Sequence, residues 1–260
     1  MASKQLGPVG MVLAAGAGKR MGGGVPKPLR RVGGKPMLYW VLRAMAEASL
    51  IQLVVVVGRQ GDVIQEALLA EGGLPRLVFA TQDEPLGTGH AARCGLEVIP
   101  DASEVLVAPA DVPLVRPATL QRLLEERRSK NAACALAVVE AADPGGYGRV
   151  VMGADDRVEA IIEEADADPA TMGLRLVNSS VYAFSVPALR KALAELRPSN
   201  RQGEYYLTDV VGILSSRGEA VVAVRADPVE MWGVNTPEQL EEANSLLGAL
   251  GSREDGKWLA

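Results

Sequence analysis

Histidine is nearly absent from this chain, because His90 is its only histidine in 260 residues. With one imidazole available, Ser-His-Asp chemistry is disfavoured and histidine-rich metal sites are excluded. Cysteine is also scarce, since Cys94 and Cys134 are far apart in sequence and match no metal-binding or redox spacing. Small buried core residues in a reducing compartment are the favoured interpretation of both. Any catalysis must therefore depend on other groups.

Long apolar runs are missing as well. The run Leu53–Val57 has the length of a strand, and no segment approaches the length required to span a bilayer. The first eight residues contain no apolar segment of the kind found in secretion signals. A net charge of −5 and a pI near 5.2 argue against nucleic acid or an anionic membrane as the main partner. We therefore expect a cytoplasmic protein that binds neither nucleic acid nor membrane.

Aspartate and glutamate are missing from the first 46 residues, although lysine and arginine are frequent there. The apolar run Val9–Ala15 predicts a buried strand, and the glycine-rich loop after it contains Lys19 and Arg20, with Lys27 close behind. Backbone N–H groups and cations in such a loop can surround a polyphosphate. Neither the dinucleotide-binding fingerprint nor the P-loop pattern is present. The loop therefore predicts an anion site of another kind.

Short apolar strands alternate with amphipathic helices through the first half of the chain. The predicted strands are 9–15, 53–57, 76–80 and 105–108, and the predicted helices are 37–45, 62–71, one from near residue 90, and 117–128. This alternation predicts right-handed crossovers and a doubly wound α/β sheet. Ligands of such sheets bind at the carboxyl ends of the strands. The glycine-rich loop, the loop 82–89 and Asp111 would all lie there.

The second half of the chain is richer in β-structure. We predict a strand at 132–139, a hairpin formed by 149–152 and 157–162, a strand within 174–184, helices to about 196 and over 207–217, and a strand at 220–224. Thr236 to Gln239 is typical of a helix start. We therefore predict one domain over 8–248, with an inserted β-rich lobe at about 140–210 and a flexible tail at 249–260.

Arg20, Lys27 and Asp111 together suggest a site for a polyphosphate and a divalent cation. One aspartate at a strand end suits Mg²⁺, which keeps several waters and takes one or two protein ligands. Asn235, which follows the last predicted strand, would complete an oxygen-only shell with phosphate oxygens. Without other evidence, the favoured interpretation of Asp111 is a helix cap or turn residue.

Several motifs resemble those of one enzyme family and occur in its order from residue 11 to about 245. They are Leu13–Met21 with Pro26 and Lys27, Gln82 with Leu86–Ala91, Asp111–Leu114, Gly146–Arg149, Ile162 with Glu163, Asn178, Gln202–Asp209, and Val234 with Asn235. The chain resembles the sugar-nucleotide pyrophosphorylases, and is most similar to the uridylyltransferase half of the bacterial bifunctional enzyme that makes UDP-N-acetylglucosamine. The resemblance implies a Rossmann-like doubly wound mixed sheet of the nucleotide-diphospho-sugar transferase type, with a small β-rich sugar-binding lobe.

The resemblance also implies a role for individual residues. The uridine of UTP would be held by Ala14, Gly16, Gln82, Gly87 and Thr88. The triphosphate would be held by the catalytic Arg20 and Lys27, and Mg²⁺ by Asp111 and Asn235. The acceptor sugar would be bound by Gly148, Glu163, Asn178 and Thr208.

The reaction that the resemblance implies joins UTP to N-acetylglucosamine 1-phosphate and releases pyrophosphate. A sugar 1-phosphate is already an ionised nucleophile, so the step needs positioning and charge neutralisation but no general base. A chain with one histidine can perform it, and we therefore predict a structural role for His90.

The sequence departs from the family pattern before the metal-binding aspartate and near the acceptor site. Ala110 and Ser180 stand where the family has glycine, and Ala165 stands where it often has lysine. The acceptor therefore stays open, and the alternatives are another sugar 1-phosphate, a cofactor precursor, or a non-catalytic sugar-nucleotide sensor. No hexapeptide repeat occurs in the chain, so we expect neither acetyl transfer nor the trimer that such repeats build. We expect a monomer or a small homo-oligomer.

Overall fold

A mixed β-sheet forms the centre of the protein. The computed structural model describes residues 7–16, 18, 21, 24–99 and 103–249. The strands are β1 (Val9–Leu13), β2 (Arg31–Val32), β3 (Lys35–Pro36), β4 (Gln52–Val57), β5 (Leu77–Thr81), β6 (Glu104–Pro109), β7 (Cys134–Glu140), β8 (Arg149–Met152), β9 (Val158–Ile162), β10 (Leu176–Ser185) and β11 (Val221–Arg225). The helices are α1 (Met37–Glu47), α2 (Gly61–Glu71), α3 (Thr88–Glu97), α4 (Pro117–Ser129), α5 (Pro169–Met172), α6 (Val186–Glu195), α7 (Asp209–Ser216) and α8 (Pro237–Ala249).

Seven strands of the described chain follow the order β11-β7-β10-β6-β1-β4-β5 across the sheet. Strands β6, β1, β4 and β5 are mutually parallel, with Val9 level with both Gln52 and Val105. Their apolar residues are buried on both faces, as is usual for parallel strands covered by helices. The predicted doubly wound sheet is therefore confirmed, and four strands end at one edge.

Strand β10 makes the sheet mixed, because it runs antiparallel to β6 and β7, while β11 runs parallel to β7. The predicted hairpin is also present: β8 pairs with β9 and joins β10 through Arg149 and Val177. The hairpin thus extends the sheet beside the edge where the parallel strands end. The limits that the sequence suggests for the domain, the lobe and the tail remain predictions, and residues 250–260 lie outside the described chain.

Alternate side chains of the strands enter two separate cores. Met11 of β1 belongs to the same core as Leu96 of α3 and Leu193 of α6, whereas its neighbour Val12 belongs to the other core, with Trp40 of α1. This alternation follows from the two-residue period of a strand. The helices on both faces thereby bury the sheet and leave its carboxyl edge free for ligands. No helix among the described residues is long and apolar enough to cross a membrane.

Three local features differ from the sequence prediction. The β2–β3 hairpin turns at Gly33 and Gly34, both with positive φ, and its two-residue strands are too short to produce a periodic pattern. Helix α5 has four residues, which is likewise too short for a helical period. Helix α3 begins at Thr88, two residues before His90, because Gly87 at φ 110° ends the preceding loop.

A buried carboxylate joins α4 to the sheet. Glu104 of β6 accepts hydrogen bonds from Arg127 (Nε–Oε1 2.9 Å) and Arg128 (Nε–Oε2 2.8 Å). Burial alone would raise the pKa of Glu104, but the hydrogen bonds from Arg128 and Arg127 outweigh it and lower the pKa from the ordinary 4.5. This ion pair therefore stabilises the fold while the carboxyl is ionised.

We expect Glu104→Ala to lower the free energy of unfolding by about 3 kcal/mol. This is the low end of the range for breaking a buried ion pair, and it applies here because Arg128 is half exposed. Because the folded pKa is depressed, the contribution is present above pH 4.5 and is lost as the pH falls through the folded value. Urea unfolding of the wild type and of Glu104→Ala at pH 7 and at pH 3.5 measures this contribution. Glu126→Ala, which breaks the exposed pair with Lys130, should change stability by less than about 0.5 kcal/mol.

Candidate functional site

A cleft of about 600 Å³ opens at the edge of the sheet where the parallel strands end. Nine of the residues predicted from the sequence line it: Gly16, Lys27, Gln82, Gly87, Thr88, Asp111, Glu163, Thr208 and Asn235. They come from segments that are far apart in the chain and meet because the parallel strands β6, β1, β4 and β5 end at the same edge of the sheet. Arg20, also predicted, lies outside the described residues.

Three other predicted residues lie next to the cleft and not on its wall. Ala14 is buried and lines an adjoining cavity of about 330 Å³, which Gly16 and Gln82 also line. Gly148 lies beside Glu163, since a Cβ at Gly148 would stand 3.4 Å from Oε2 of that carboxylate. Asn178 is buried behind the wall. The proposed ligand contacts of all three stay predictions.

Lys27, Asp111 and Asn235 form the charged centre of the cleft. The Lys27 ammonium makes an ion pair with Oδ2 of Asp111 and donates to Oδ1 of Asn235 at 2.8 Å. Asp111 follows β6, and its carbonyl accepts from Val234 N at 2.9 Å, which places Asn235 opposite it. A positive charge is therefore already accommodated between one carboxylate oxygen and one amide oxygen.

The start of α8 orients Asn235. Gln239 Oε1 accepts from Asn235 N at 2.7 Å and from Thr236 N at 3.1 Å, and Thr236 Oγ1 accepts from Gln239 N at 3.3 Å. This capping box confirms the predicted helix start. The side chain of Asn235 is thereby held at the helix entrance, where it faces Lys27.

The oxygen atoms that surround the Lys27 ammonium also suit a hard divalent cation. No group of three or more metal-ligating side chains of the usual types occurs among the described residues. Asp111 and Asn235 offer two oxygens, which is typical of Mg²⁺ sites completed by water and substrate phosphates. A cation held here would lie in the same cleft as Gln82, Glu163 and Thr208.

The loop before α3 forms one end of the cleft. The side chain of Gln82 is 5% exposed, and its Nε2 donates to Gly87 O at 3.0 Å. Glycine is required at position 87, because its φ is 110° and a Cβ would stand 2.6 Å from Tyr205 O. Gln82 is therefore held tightly by the loop that it supports.

Two segments of the cleft wall are joined by hydrogen bonds. Gly89 N donates to Tyr205 O at 2.7 Å, and Tyr205 N donates to Leu86 O at 2.8 Å. Thr88 Oγ1 accepts from Leu207 N at 2.9 Å. The loop 86–89 and the segment 205–207 therefore form one unit.

Glu163 and Thr208 lie at the other end of the cleft. Thr208 Oγ1 donates to Glu163 Oε1 at 2.9 Å. Burial raises the pKa of Glu163, and the nearby carboxylates of Asp209 and Asp166 raise it further, although the bond from Thr208 opposes them. The second carboxylate oxygen, beside Gly148, can accept from a ligand hydroxyl or amide.

A bulge in β10 brings further residues to the wall. The pairing of β10 with β7 shifts between Asn178 and Tyr182, and Ser180 within it has φ 61°. Asn178 stabilises this bulge, because its Oδ1 accepts from Ser180 N at 3.1 Å and its Nδ2 donates to Tyr182 Oη at 2.8 Å. The glycine that the family pattern has at 180 suits this left-handed conformation, which serine adopts here.

Three wall residues with polar side chains were not predicted as site residues. Ser180, Tyr182 and Glu204 all line the cleft. The departure from the family pattern at Ser180 marked that position, and Glu204 lies within the motif 202–209. Tyr182 had no distinguishing signal, since a tyrosine inside a strand is usually a core residue.

Comparison with known proteins places these observations in a family. The family model for the MobA-like NTP transferase domain matches residues 10–204. The chain is 41% identical over 239 residues to the bifunctional protein GlmU of Trichlorobacter lovleyi, covering 91% of this chain and 51% of that protein. It is 42% identical over 242 residues to the same-named protein of Mycobacterium tuberculosis, covering 91% and 49%. The chain thus spans about half the length of the curated relatives it matches.

A solved structure has the same fold. The crystal structure of UDP-glucose pyrophosphorylase complexed with UDP-glucose superposes with a TM-score of 0.77 at 17% identity, covering 93% of this chain and 98% of that chain. The predicted Rossmann-like mixed sheet of the nucleotide-diphospho-sugar transferase type is therefore confirmed. At this identity the likeness concerns the fold alone.

Proposed function

Because this chain belongs to the family of MobA-like NTP transferase domains, we propose that it makes UDP-N-acetylglucosamine and pyrophosphate from UTP and N-acetylglucosamine 1-phosphate. Nucleotidyl transfer follows from the family, and the similarity to two GlmU proteins supports the uridylyl donor and this acceptor. The observation that carries the proposal is the Lys27 ammonium between the oxygens of Asp111 and Asn235. This cluster lies in the same cleft as Gln82 and the Glu163–Thr208 pair.

The cleft supplies one place for each part of the substrates. Gln82 and the loop 86–89 would contact the base of UTP, Lys27 its phosphates, and Glu163 with Thr208 the acceptor sugar. A phosphate oxygen of the sugar 1-phosphate attacks the α-phosphorus in line, a new P–O bond forms, and the bond to the β-phosphate breaks with release of pyrophosphate. No proton transfer is needed, because the nucleophile is already ionised.

Charge neutralisation is the main contribution of the protein to this step. Lys27, whose side chain is 14% exposed, places a positive charge beside the reacting phosphates, and a preorganised charge with limited contact to solvent acts strongly. Asp111 and Asn235 would hold Mg²⁺, which would neutralise phosphate charge and help to orient the leaving group. Glu163 and Thr208 fix the acceptor, so that its phosphate meets the α-phosphorus.

The decisive experiment measures Mg²⁺-dependent release of pyrophosphate from UTP and N-acetylglucosamine 1-phosphate by the purified protein. We expect release only when both substrates and Mg²⁺ are present. CTP or GTP replaces UTP in one series, and glucose 1-phosphate replaces N-acetylglucosamine 1-phosphate in another. Faster release with another sugar phosphate would replace the proposed acceptor, and absence of release with all of them would favour a non-catalytic sensor.

Replacement of Glu163 tests the acceptor end of the cleft. We expect Glu163→Gln to raise KM for the sugar 1-phosphate by about 10- to 100-fold, because an amide cannot replace both acceptor functions of a buried carboxylate. The KM for UTP should change little. Steady-state kinetics with each substrate varied in turn measures both, and Glu159→Gln, an exposed glutamate of neighbouring β9, is the matched control.

The raised pKa of Glu163 adds a pH dependence. Because burial raises the pKa above 4.5, the carboxylate is lost as the pH falls through a value higher than that of an ordinary glutamate. The KM of the wild type for the sugar phosphate should therefore rise more steeply toward acid pH than that of Glu163→Gln. Titration of the substrate phosphate affects both proteins equally, so the comparison with Glu163→Gln corrects for it. Identical pH profiles of the two proteins would contradict the role of the Glu163 carboxylate in binding the sugar phosphate.

A further inference from the structure

His90 lies in the first turn of α3 with its imidazole beside the buried amide of Gln82. Its Nδ1 is 3.2 Å from Gln82 Nε2 and 3.1 Å from Glu84 O, and its Nε2 is 3.8 Å from Cys94 Sγ. The reaction described above requires no proton from it. Nδ1 nevertheless meets one donor and one acceptor, so the position of the imidazole proton decides which of the two it bonds.

The surroundings select the arrangement in which Nδ1 is an acceptor. Glu84 O already accepts from Leu86 N at 2.8 Å and belongs to an exposed residue, so it needs no proton from the ring. Gln82 is buried, and the amide hydrogen that does not point to Gly87 O has His90 Nδ1 as its acceptor. Buried donors are nearly always paired. The proton of a neutral imidazole therefore lies on Nε2, facing the weakly accepting sulfur of Cys94.

This arrangement fixes the orientation of the Gln82 amide. Its two hydrogens are directed at Gly87 O and His90 Nδ1, so Oε1 is the atom left to a ligand. Gln82 lines both the main cleft and the adjoining cavity. The protein thus offers an acceptor, and not a donor, at this point of the wall.

An acceptor at this point distinguishes two classes of nucleobase. Uracil carries a hydrogen on ring nitrogen N3 and can donate to Oε1, whereas cytosine presents a lone pair at N3. Facing lone pairs would leave Oε1 without a partner, and a buried unpaired polar group discriminates strongly. If the amide could rotate by 180°, Nε2 would face the base and the preference would be lost.

We infer that His90 is a positioning residue that locks the amide of Gln82 with Oε1 toward the nucleotide and thereby makes the cleft select UTP over CTP. The inference rests on the proposed function, because it takes the loop 82–88 as the base-binding end. It assigns to His90 a role in specificity and none in the chemical step.

Two substitutions test whether Nδ1 or Nε2 of His90 is the nitrogen that matters. His90→Asn keeps an acceptor near the place of Nδ1, whereas His90→Gln places its polar atoms near Nε2 and lacks one there. Dissociation constants for UTP and CTP, measured by calorimetry, give the selectivity of each protein. We expect the ratio of the two constants to fall at least about tenfold in His90→Gln and to stay near the wild-type value in His90→Asn, with kcat for UTP changed less than KM.

The results distinguish failure of this inference from failure of the proposed function. A wild-type protein that binds UTP and CTP equally would overturn the inference and leave the proposed reaction in place, because pyrophosphate release tests that reaction separately. A selective wild type with an equally selective His90→Gln would likewise overturn only the role of His90. If His90→Gln does not fold, the wild type decides, because its single histidine gives unambiguous imidazole signals. A long-range ¹H–¹⁵N spectrum at pH 8 should show hydrogen on Nε2, and hydrogen on Nδ1 would overturn the inference.

Discussion

Replacement of Lys27 by alanine is expected to lower kcat by about 10²- to 10³-fold, the loss typical of removing one preorganised charge from a reacting group. The fold should persist, because Lys27 lies in a short turn of the cleft wall in which its neighbours Pro28 and Leu29 are buried and supply the packing. Single-turnover release of pyrophosphate at saturating UTP measures the effect on the chemical step. Circular dichroism and thermal unfolding monitor the fold.

Lys191→Ala is the matched control for this variant, because it removes the same charge from an exposed position on α6. Its turnover should equal that of the wild type. Near-wild-type turnover of Lys27→Ala would remove this residue from the proposed mechanism, whichever acceptor the protein uses. A uniform rise in both KM values with unchanged kcat would instead indicate that Lys27 only helps ground-state binding.

Replacement of Asp111 by asparagine is expected to have the largest effect of all. The change keeps the shape of the side chain but removes the only carboxylate that contacts the Lys27 ammonium in the described chain. Loss of a metal-held charge at phosphates amounts to several kcal/mol, which corresponds to roughly 10³-fold in kcat/KM. The Mg²⁺ concentration for half-maximal activity should also rise, since the amide oxygen that Asp111→Asn introduces and that of Asn235 carry no charge.

Titration of activity with Mg²⁺ measures this shift, and Asp62→Asn, an exposed residue in the first turn of α2, is the control. Partial recovery of Asp111→Asn at high Mg²⁺ would agree with a ligand role. An unchanged Mg²⁺ midpoint would contradict it and favour the alternative that the sequence left open, in which Asp111 only stabilises the turn after β6.

Much of the fold could be predicted from the sequence, because short continuous apolar runs such as those of β4 and β6 indicate buried parallel strands. The hairpin of β8 and β9 was predicted from local alternation and turn residues. The bulge of β10 could not be predicted, since it depends on pairing with β7, which lies about forty residues earlier in the chain. The β2–β3 hairpin contains too few residues to produce a pattern.

The candidate site, like the fold, could be predicted from the sequence only in part. Residues that directly follow parallel strands, such as Gln82 and Asp111, meet for a topological reason that the sequence reveals. Sequence order does not show which way a strand residue faces, and Asn178 accordingly lies behind the wall, where it supports Ser180. The contact between Gln82 and His90 depends on side-chain rotamers across a loop, and no periodic pattern encodes it.

The hydrogen bonds that join the loop 86–89 to the segment 205–207 limit which parts of the cleft can be changed independently by mutation. A substitution intended to change the acceptor within 204–208 would move Tyr205 and, with it, the loop that carries Gly87, so nucleotide affinity would suffer as well. Ser180 lies on a different strand and is held by Asn178. Under the proposed function, libraries directed at the bulge of β10 therefore change the acceptor side of the cleft and leave the loop 86–89 undisturbed.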